Sequence, residues 1–244
     1  MKFDIKGWQA WAPGVSTPED WRTWCAQPYV LAASAETADV SFLPGLQRRR
    51  LSPLARMVFH VGWPLAEMMP AQPMIFCSRH GETSRNLQLL ASLALQESLS
   101  PTHFSLSVHN AVAGLWSIFR NDTSEMISIA GAEDGLEHGL LEAQLLLAAG
   151  APSVLVIIAE DQQPAAYLPW IDDVPFAYAL ALQVVPGEQW QLELTTVNLE
   201  KPTAAKFEIL PHALQLLPLL MGLKDRLLLR TAQRQWSWQC VGHK

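Results

Sequence analysis

Charged residues are scarce in this sequence: Asp, Glu, Lys and Arg make up only 16% of its 244 residues, against about a quarter in typical globular domains. Hydrophobic residues account for 50%, and there are ten tryptophans. This apolar content is ample for a core. Apolar surface left over after folding usually serves a partner or a ligand tunnel. A well-filled core is the simpler alternative, and composition leaves both open.

Positive charge is also lacking. The formal net charge is −6, and the one basic run is Arg48-Arg49-Arg50. Proteins that bind nucleic acid carry a basic patch or stripe for the phosphates. The composition therefore predicts no nucleic-acid partner.

Cysteine is rare, and its three positions (Cys25, Cys77 and Cys240) form no Cys-x-x-Cys pair. This spacing argues against a disulfide framework or a zinc site and favours a reducing compartment. The N-terminus has no apolar signal core. The most apolar stretch is interrupted by Glu142 and Pro152 and is a poor membrane span. We expect a cytoplasmic protein without a membrane span and without a metal.

Apolar periodicity and turn residues predict alternating strands and helices. The predicted strands are Lys2–Ala10, Pro73–Cys77, Met126–Ile129 and Val154–Ile158. The predicted helices are a short one capped by Ser16 or Thr17, then Pro53–Met68, Glu82–Ser98, Phe104–Phe119 and Leu136–Ala149. The alternation indicates an α/β fold with helices on both faces of the sheet. Without a repeat or a low-complexity linker, residues 1–244 are predicted to form one domain.

The C-terminal part of the chain gives a different pattern. Phe176–Val185 and Gln189–Val197 are predicted as two strands of an antiparallel hairpin that turns at Pro186-Gly187. A Leu-rich helix (Leu210–Leu223) and a final strand region (Arg226–Cys240) follow.

A small-residue turn, Ala130–Gly135, joins the strand Met126–Ile129 to the helix Leu136–Ala149. Sharp strand-to-helix turns of this kind often present a catalytic nucleophile at the positive end of the helix dipole. Here the turn, which we call the elbow, carries Glu133 and Asp134 and contains no Ser or Cys.

The segment Ser78-Arg79-His80-Gly81-Glu82-Thr83 follows a predicted strand and looks like the phosphohistidine motif of histidine phosphatases. That resemblance implies His80 as the nucleophile, with Arg79 and Arg85 binding the phosphoryl group. A long segment precedes the motif, and no second histidine follows a later strand. A polar turn in which Glu82 starts a helix is the favoured interpretation.

A second resemblance rests on more residues. Ser100-Pro101, Asn110–Gly114, Ser128–Ala132, Ala148–Ala151 and Val154–Asp161 follow one another in the order of corresponding motifs in the N-terminal half of β-ketoacyl synthases. The chain thus resembles the thiolase-like superfamily over residues 1–185, with a divergent extension at 186–244. The resemblance implies a thiolase-like α/β fold, with only the N-terminal half present and a mixed sheet.

This resemblance places Glu133 at the position of the catalytic cysteine of the synthases. Their two active-site histidines come from a C-terminal half, for which Pro186–Lys244 is too short; His243 lacks the setting of either. The chain therefore resembles a chain length factor, the inactive partner of a ketosynthase, and is similar to the short form found in aryl-polyene biosynthesis. A variant of this hypothesis gives Glu133 a role in decarboxylation of malonyl groups.

As a chain length factor, the protein would pair with a full-length ketosynthase as a heterodimer or heterotetramer, meet acyl carrier protein through that complex and need no cofactor of its own. The resemblance implies strand pairing with the partner through Met126, Ile127, Ser128 and Ile129. It also implies an acyl-tunnel wall within Thr102–Ala113, in which the site residues are His103, Ser107, Asn110, Val112 and, from the elbow, Glu133. The carboxylate pairs Glu160-Asp161 and Asp172-Asp173 are expected to be solvated turn residues, and His138 a core histidine.

Overall fold

A seven-stranded mixed sheet forms the centre of the fold in the computed structural model, which describes residues 1–32, 34–67, 69, 71–171, 173–196, 210–231 and 234–241. The strands are β1 (Lys2–Trp11), β2 (Met74–Cys77), β3 (Met126–Ile129), β4 (Val154–Glu160), β5 (Tyr178–Thr196), β6 (Arg226–Arg230) and β7 (Arg234–Cys240). Their order is β3-β2-β4-β5-β7-β6, and β1 pairs with β5. Strands β2, β3 and β4 are parallel, whereas every pairing of β5 and β7 is antiparallel.

Helices cover both faces of this sheet, as the sequence predicts. They are α1 (Pro18–Ala26), α2 (Gly45–Arg48), α3 (Pro53–Glu67), α4 (Thr83–Ala94), α5 (Pro101–Ser105), α6 (Ala111–Arg120), α7 (Gly135–Ala148), a 3₁₀ helix (His212–Leu216) and α8 (Leu217–Leu220). One core lies between the sheet and α1, α7, the 3₁₀ helix and α8. The other core lies between the sheet and α3 and α6. Alternate residues of β4 point into the two cores, as expected for a strand buried on both faces.

The predicted hairpin at Pro186-Gly187 is wrong, because β5 runs without reversal from Tyr178 to Thr196. The two residues lie in a bulge opposite β1, where the pairing jumps from Asp4 with Val185 to Phe3 with Trp190. The Asp4 carboxylate accepts a hydrogen bond from Gln189 N at 2.8 Å. It fills the space that a side chain at Gly187 would need. Proline is tolerated at such a bulge because no ladder hydrogen bond is required there.

The predicted helix Phe104–Phe119 is also wrong, because it consists of α5 and α6 with a break between them. At the break, the Ser107 hydroxyl donates to Phe104 O at 2.9 Å, and His109 Nε2 lies 2.7 Å from Ser78 O. Side chains that bond nearby backbone groups compete with the helix for them. The His109 contact ties the break to the loop after β2.

Other boundaries differ at their ends. Helix α4 ends at Ala94 instead of Ser98, and Gln96 takes a left-handed conformation (φ 57°) just beyond it. The predicted helix Leu210–Leu223 is a 3₁₀ helix followed by a short α-helix that starts beside Pro218. The predicted strand region Arg226–Cys240 is a pair of antiparallel strands. Met68, Asp172, Val197 and His243 lie outside the described residues.

Candidate functional site

The carboxyl ends of the parallel strands β2, β3 and β4 meet at one edge of the sheet, and the loops that follow them form the candidate site. Ser78 N, just after β2, donates to Ile129 O at the end of β3 at 3.0 Å. The Ser78 hydroxyl donates to Glu160 at the end of β4 at 3.1 Å. This is the edge at which α/β sheets bind ligands.

The elbow between β3 and α7 is as tight as its small residues suggest. A Cβ atom on Gly131 would lie only 2.7 Å from the Cα atom of Gly135, so this approach requires glycine. Glu133, at the position predicted for the lost nucleophile, is exposed at the tip of the turn. The elbow therefore presents a carboxylate to the surface.

Asp134 and Glu137, which follow the tip, have fully buried side chains. Arg234 binds Asp134 through Nε at 2.6 Å and Nη2 at 2.9 Å, and Trp236 Nε1 donates to Asp134 at 2.9 Å. Burial by itself would raise the pKa of Asp134, but these hydrogen bonds and the nearby His138 outweigh it and lower the pKa. Asp134 is thus held as a carboxylate.

Glu137 is bound by a second pair of donors. His212 Nε2 lies 3.0 Å from Glu137 Oε1, and Trp238 Nε1 donates to the same oxygen at 3.1 Å. Burial lowers the pKa of His212, but the charge and hydrogen bond of Glu137 outweigh burial and raise it. Sequence reasoning missed this network; its signal was the alternation Arg-x-Trp-x-Trp along β7, which puts three donors on one face of a strand.

A cleft of about 440 Å³ opens beside the predicted tunnel wall, between the start of α3, helix α4 and the start of α5. His103 lines it together with Ser52, Glu82, Arg85 and Asp161. Ser52 donates to the buried Glu82 at 2.6 Å, and Arg85 Nε lies 3.1 Å from Glu82. Burial nevertheless raises the pKa of Glu82, and burial raises the pKa of Asp161 to about 6. The cleft is therefore polar on its α4 side.

The predicted tunnel residues differ in their exposure. His103 and Asn110 are exposed, on α5 and just before α6, as Glu133 is on the elbow. Ser107 is buried, with its hydroxyl bonded to Phe104 O. Val112 is completely buried in the core beneath α6. Val112 thus supports the predicted wall from within this subunit and does not form its surface.

Strand β3, predicted to pair with a partner, is the terminal strand of the sheet that the described residues form, and β2 is its neighbour. All four of its residues (Met126, Ile127, Ser128 and Ile129) are half-buried. Ile118 on α6, a helix that contacts β3, is 64% exposed, and Phe104 on α5 is 61% exposed. A free strand edge beside exposed apolar residues is a template for pairing with another chain.

The phosphohistidine-like segment has a different environment from the one that phosphate needs. His80 Nε2 and Arg79 Nη1 both lie 3.0 Å from Asp173. Glu160 accepts hydrogen bonds from the backbone N–H groups of Arg79 and His80. Burial raises the pKa of Glu160. At Asp173 the contacts with His80 and Arg79 outweigh the effect of burial, so the pKa of Asp173 is lowered. Asp173 thus binds both Arg79 and His80, two of the side chains to which the resemblance assigns phosphoryl binding and attack.

Two expectations about single residues are corrected by these contacts. Glu160 is only 4% exposed, and Asp173 is paired with His80, so neither is a solvated turn residue. His138 is half-exposed and packs edge-on against Trp236, with ring centroids 5.9 Å apart, so it lies at the rim of the core. Among the described residues, no group of three or more His, Cys, Asp or Glu side chains is arranged to hold a metal, and no helix is long and apolar enough to span a bilayer.

Comparison with known proteins gives one family match and several similar structures. The family described as β-ketoacyl synthase, N-terminal domain, matches residues 21–239, which includes most of the C-terminal segment. No curated protein matches the sequence. A chain of the solved complex of the ketosynthase ApeO with its chain length factor ApeC from Xenorhabdus doucetiae is 31% identical. The TM-score is 0.85, and the match covers 98% of this chain and 99% of that one.

Two further structures share the fold at low identity. The ishigamide ketosynthase/chain length factor is 12% identical with a TM-score of 0.73, over 99% of this chain and 100% of that one. The ketosynthase from module 1 of the bacillaene synthase of Bacillus amyloliquefaciens FZB42 is 11% identical with a TM-score of 0.58. That match covers 82% of this chain but only 47% of the ketosynthase.

Proposed function

The chain belongs to the family of β-ketoacyl synthase N-terminal domains, and we propose that it is the non-catalytic chain length factor subunit of a heterodimeric ketosynthase. Its fold is the thiolase-like fold of ketosynthases, restricted to their N-terminal domain. The observation that carries the proposal is the elbow, which has Glu133 exposed at its tip and contains no Ser or Cys. The similarity to a chain of a ketosynthase–chain length factor complex supports it.

Glu133 is poorly suited to the reaction of a ketosynthase. Covalent catalysis of acyl transfer uses a thiolate or hydroxyl that is activated by a neighbouring base. An acyl group on a carboxylate would be an anhydride, which does not form from a thioester at a useful equilibrium. The exposed carboxylate of Glu133 lies near the N-terminus of α7, where the helix dipole stabilises a negative charge. The condensing cysteine in this proposal belongs to the partner ketosynthase.

The partner surface in this proposal is centred on β3. Antiparallel pairing of its free edge with the equivalent strand of a ketosynthase would extend the sheet across the two subunits and satisfy its backbone groups. The exposed apolar residues Phe104 and Ile118 would be covered by the same contact. The low charged content of the chain is consistent with a surface of this kind.

Chain-length control follows from sterics. A growing acyl chain that reaches a rigid wall stops growing when further overpacking costs more than elongation gains. We assign the wall to α5, the start of α6 and the elbow. His103, Asn110 and Glu133 are exposed on it, and Ser107 and Val112 pack behind it. In the same proposal, the product of the complex is an aryl polyene chain. Acyl carrier protein delivers the malonyl units to the complex in the cytoplasm.

Reconstitution with a full-length ketosynthase from the same organism tests the proposal. We expect the two chains to co-purify as a stable complex, and condensation to require the cysteine of the ketosynthase. Glu133→Ala in this chain should leave the rate of the first condensation unchanged. A stable monomer that does not bind the synthase would contradict the proposal. So would condensation or phosphatase activity of this chain by itself. Malonyl decarboxylation that falls with Glu133→Ala would assign chemistry to Glu133 instead.

A further inference from the structure

The start of α7 carries two carboxylates, and among the described residues their hydrogen-bond donors come from residues 212–238, while His138 Nδ1 of α7 itself lies 3.5 Å from Asp134. Asp134 and Glu137 are three residues apart, so they lie on one face of the helix, and the side chains of both are 0% exposed. Buried carboxylates are costly unless each is paired and hydrogen-bonded. The donors are Arg234, Trp236 and Trp238 from β7, and His212 from the 3₁₀ helix. We call these four residues the tail clamp.

Strand β7 is a rigid support for these donors. It pairs with β5 from Thr196–Arg234 to Trp190–Cys240 and with β6 on its other edge. Side chains along a strand alternate between its two faces, so Arg234, Trp236 and Trp238 all face α7. Trp236 and Trp238 are buried as well. Strand β7 is therefore held by a neighbouring strand on each edge, whereas the elbow follows β3, the terminal strand of the sheet.

The contacts of Asp134 are not those of an ordinary helix cap. Asp134 is the residue before α7, yet its side chain makes no capping hydrogen bond to the helix. Both of its oxygens instead bind Arg234 in a two-pronged pair, which fixes orientation as well as distance. Glu133, at the tip of the elbow, is the residue directly before Asp134. The position of Glu133 therefore depends on a contact made 100 residues later.

We propose that the tail clamp positions the elbow, and with it the part of the acyl-tunnel wall that this chain presents to its ketosynthase partner. The proposal rests on the proposed function, because the elbow has a tunnel to shape only in the complex. It assigns a role to the C-terminal segment of the chain: the side chains that orient the elbow are supplied by the tail. Arg234, Trp236, Trp238 and His212 are positioning residues in this account and contact no substrate.

Hydrogen exchange measured on the ketosynthase complex, together with the lengths of its products, tests the clamp. Arg234→Ala leaves the Asp134 carboxylate buried with fewer donors, so the elbow should open while the sheet stays intact. We expect amide exchange in residues 130–138 to rise about tenfold, with β2 and β4 unchanged. The product distribution should broaden at a temperature well below unfolding.

Conservative variants separate positioning from folding. Arg234→Lys retains the charge without the fork and should restore protection in part. Trp236→Phe keeps the ring packing but removes one donor, and it serves if Arg234→Ala does not fold. Arg226 is an exposed arginine on β6, the strand paired with β7. Arg226→Ala is the matched control and should change neither the amide exchange nor the product lengths.

The outcomes are distinguishable from failure of the proposed function. Exchange that rises evenly along the whole chain in Arg234→Ala would reduce the clamp to ordinary stabilisation and overturn the inference. A loosened elbow with unchanged product lengths would also overturn it. If no ketosynthase complex forms with the unaltered chain, the proposed function fails, and the inference, which assumes that complex, fails with it.

Discussion

Replacement of Gly139 by alanine tests how tightly α7, and therefore the elbow, is pressed onto the sheet. Gly139 lies in the middle of α7 and faces β2 and β4. A Cβ atom at this position would lie 2.6 Å from Cys77 Sγ, 3.2 Å from Val156 Cγ1 and 3.5 Å from Ile75 Cγ2. All three side chains belong to fully buried residues, so none can turn away into solvent.

Two opposing effects set the magnitude. Alanine in place of glycine inside a helix gains about 1 kcal/mol from propensity. Contact distances for non-bonded atoms are about 3.5–4.0 Å, so the new methyl group overlaps Cys77 by about 1 Å. Overpacking of this kind typically costs about 1–3 kcal/mol. The net prediction for Gly139→Ala is a loss of about 1 kcal/mol in the free energy of unfolding.

Gly114 in α6 provides the matched control, because an added Cβ atom there would meet nothing within 4 Å. Gly114→Ala should therefore raise the free energy of unfolding by about 0.5–1 kcal/mol. Urea denaturation of both variants, followed by tryptophan fluorescence, measures the difference. For a chain of this size, 1 kcal/mol corresponds to a shift of about 2–4 °C in Tm.

The Cys77 contact can be isolated by a double-mutant cycle. Cys77→Ala removes the atom that the new methyl group would strike, so Gly139→Ala should cost less in that background, with a coupling energy of about 1 kcal/mol. If Gly139→Ala stabilises the protein as much as Gly114→Ala does, α7 is not in close contact with the sheet. The sheet would then not hold α7, and with it the elbow, in place.

Three further predictions follow from individual contacts. Because the pKa of Asp161 is raised from 3.8 to about 6 in the folded protein, its contribution to stability is present below pH 3.8 and lost as the pH rises through 6. Asp161→Asn should therefore stabilise the protein by about 2–3 kcal/mol at pH 7.5 and by little at pH 4. An equal effect at both pH values in urea titrations would contradict this. The Arg120 guanidinium lies 5.1 Å and 5.3 Å from the ring centroids of Trp63 and Trp116 and donates to Ala66 O and Met69 O. Arg120→Met should cost about 3 kcal/mol in thermal unfolding and Arg120→Lys clearly less, and equal losses would show that the positive charge by itself contributes nothing. With Asp173 occupying both Arg79 and His80, phosphatase assays should give no turnover that His80→Ala abolishes.

The alternation of strands and helices, and the helices on both faces, could be predicted because hydrophobic periodicity alone determines them. The strand Met126–Ile129 and the small-residue elbow were placed correctly for the same reason. The hairpin was predicted wrongly, because Pro186-Gly187 has the composition of a turn. Only the Asp4 side chain of a distant strand makes these two residues a bulge. Local sequence cannot reveal a partner that lies more than 180 residues away.

The candidate site divides in the same way. The identity of Glu133 at the elbow is a sequence fact, and its exposure follows from its place at the tip of a turn. The burial of Asp134 and Glu160 was not foreseen, because acidic residues after strands are solvated unless other elements supply donors. Those donors come from Arg234 and Ser78, and their approach depends on tertiary packing.

The central claim is that this chain limits the length of an acyl chain made by a partner, and product analysis of the ketosynthase complex tests it most directly. His103→Trp adds an aromatic ring to the exposed wall on α5, and Leu223→Trp, at an exposed position beside the far edge strand β6, is the control. Mass spectrometry should detect shorter products with His103→Trp and unchanged products with Leu223→Trp. Products of the same length from both complexes would contradict the account.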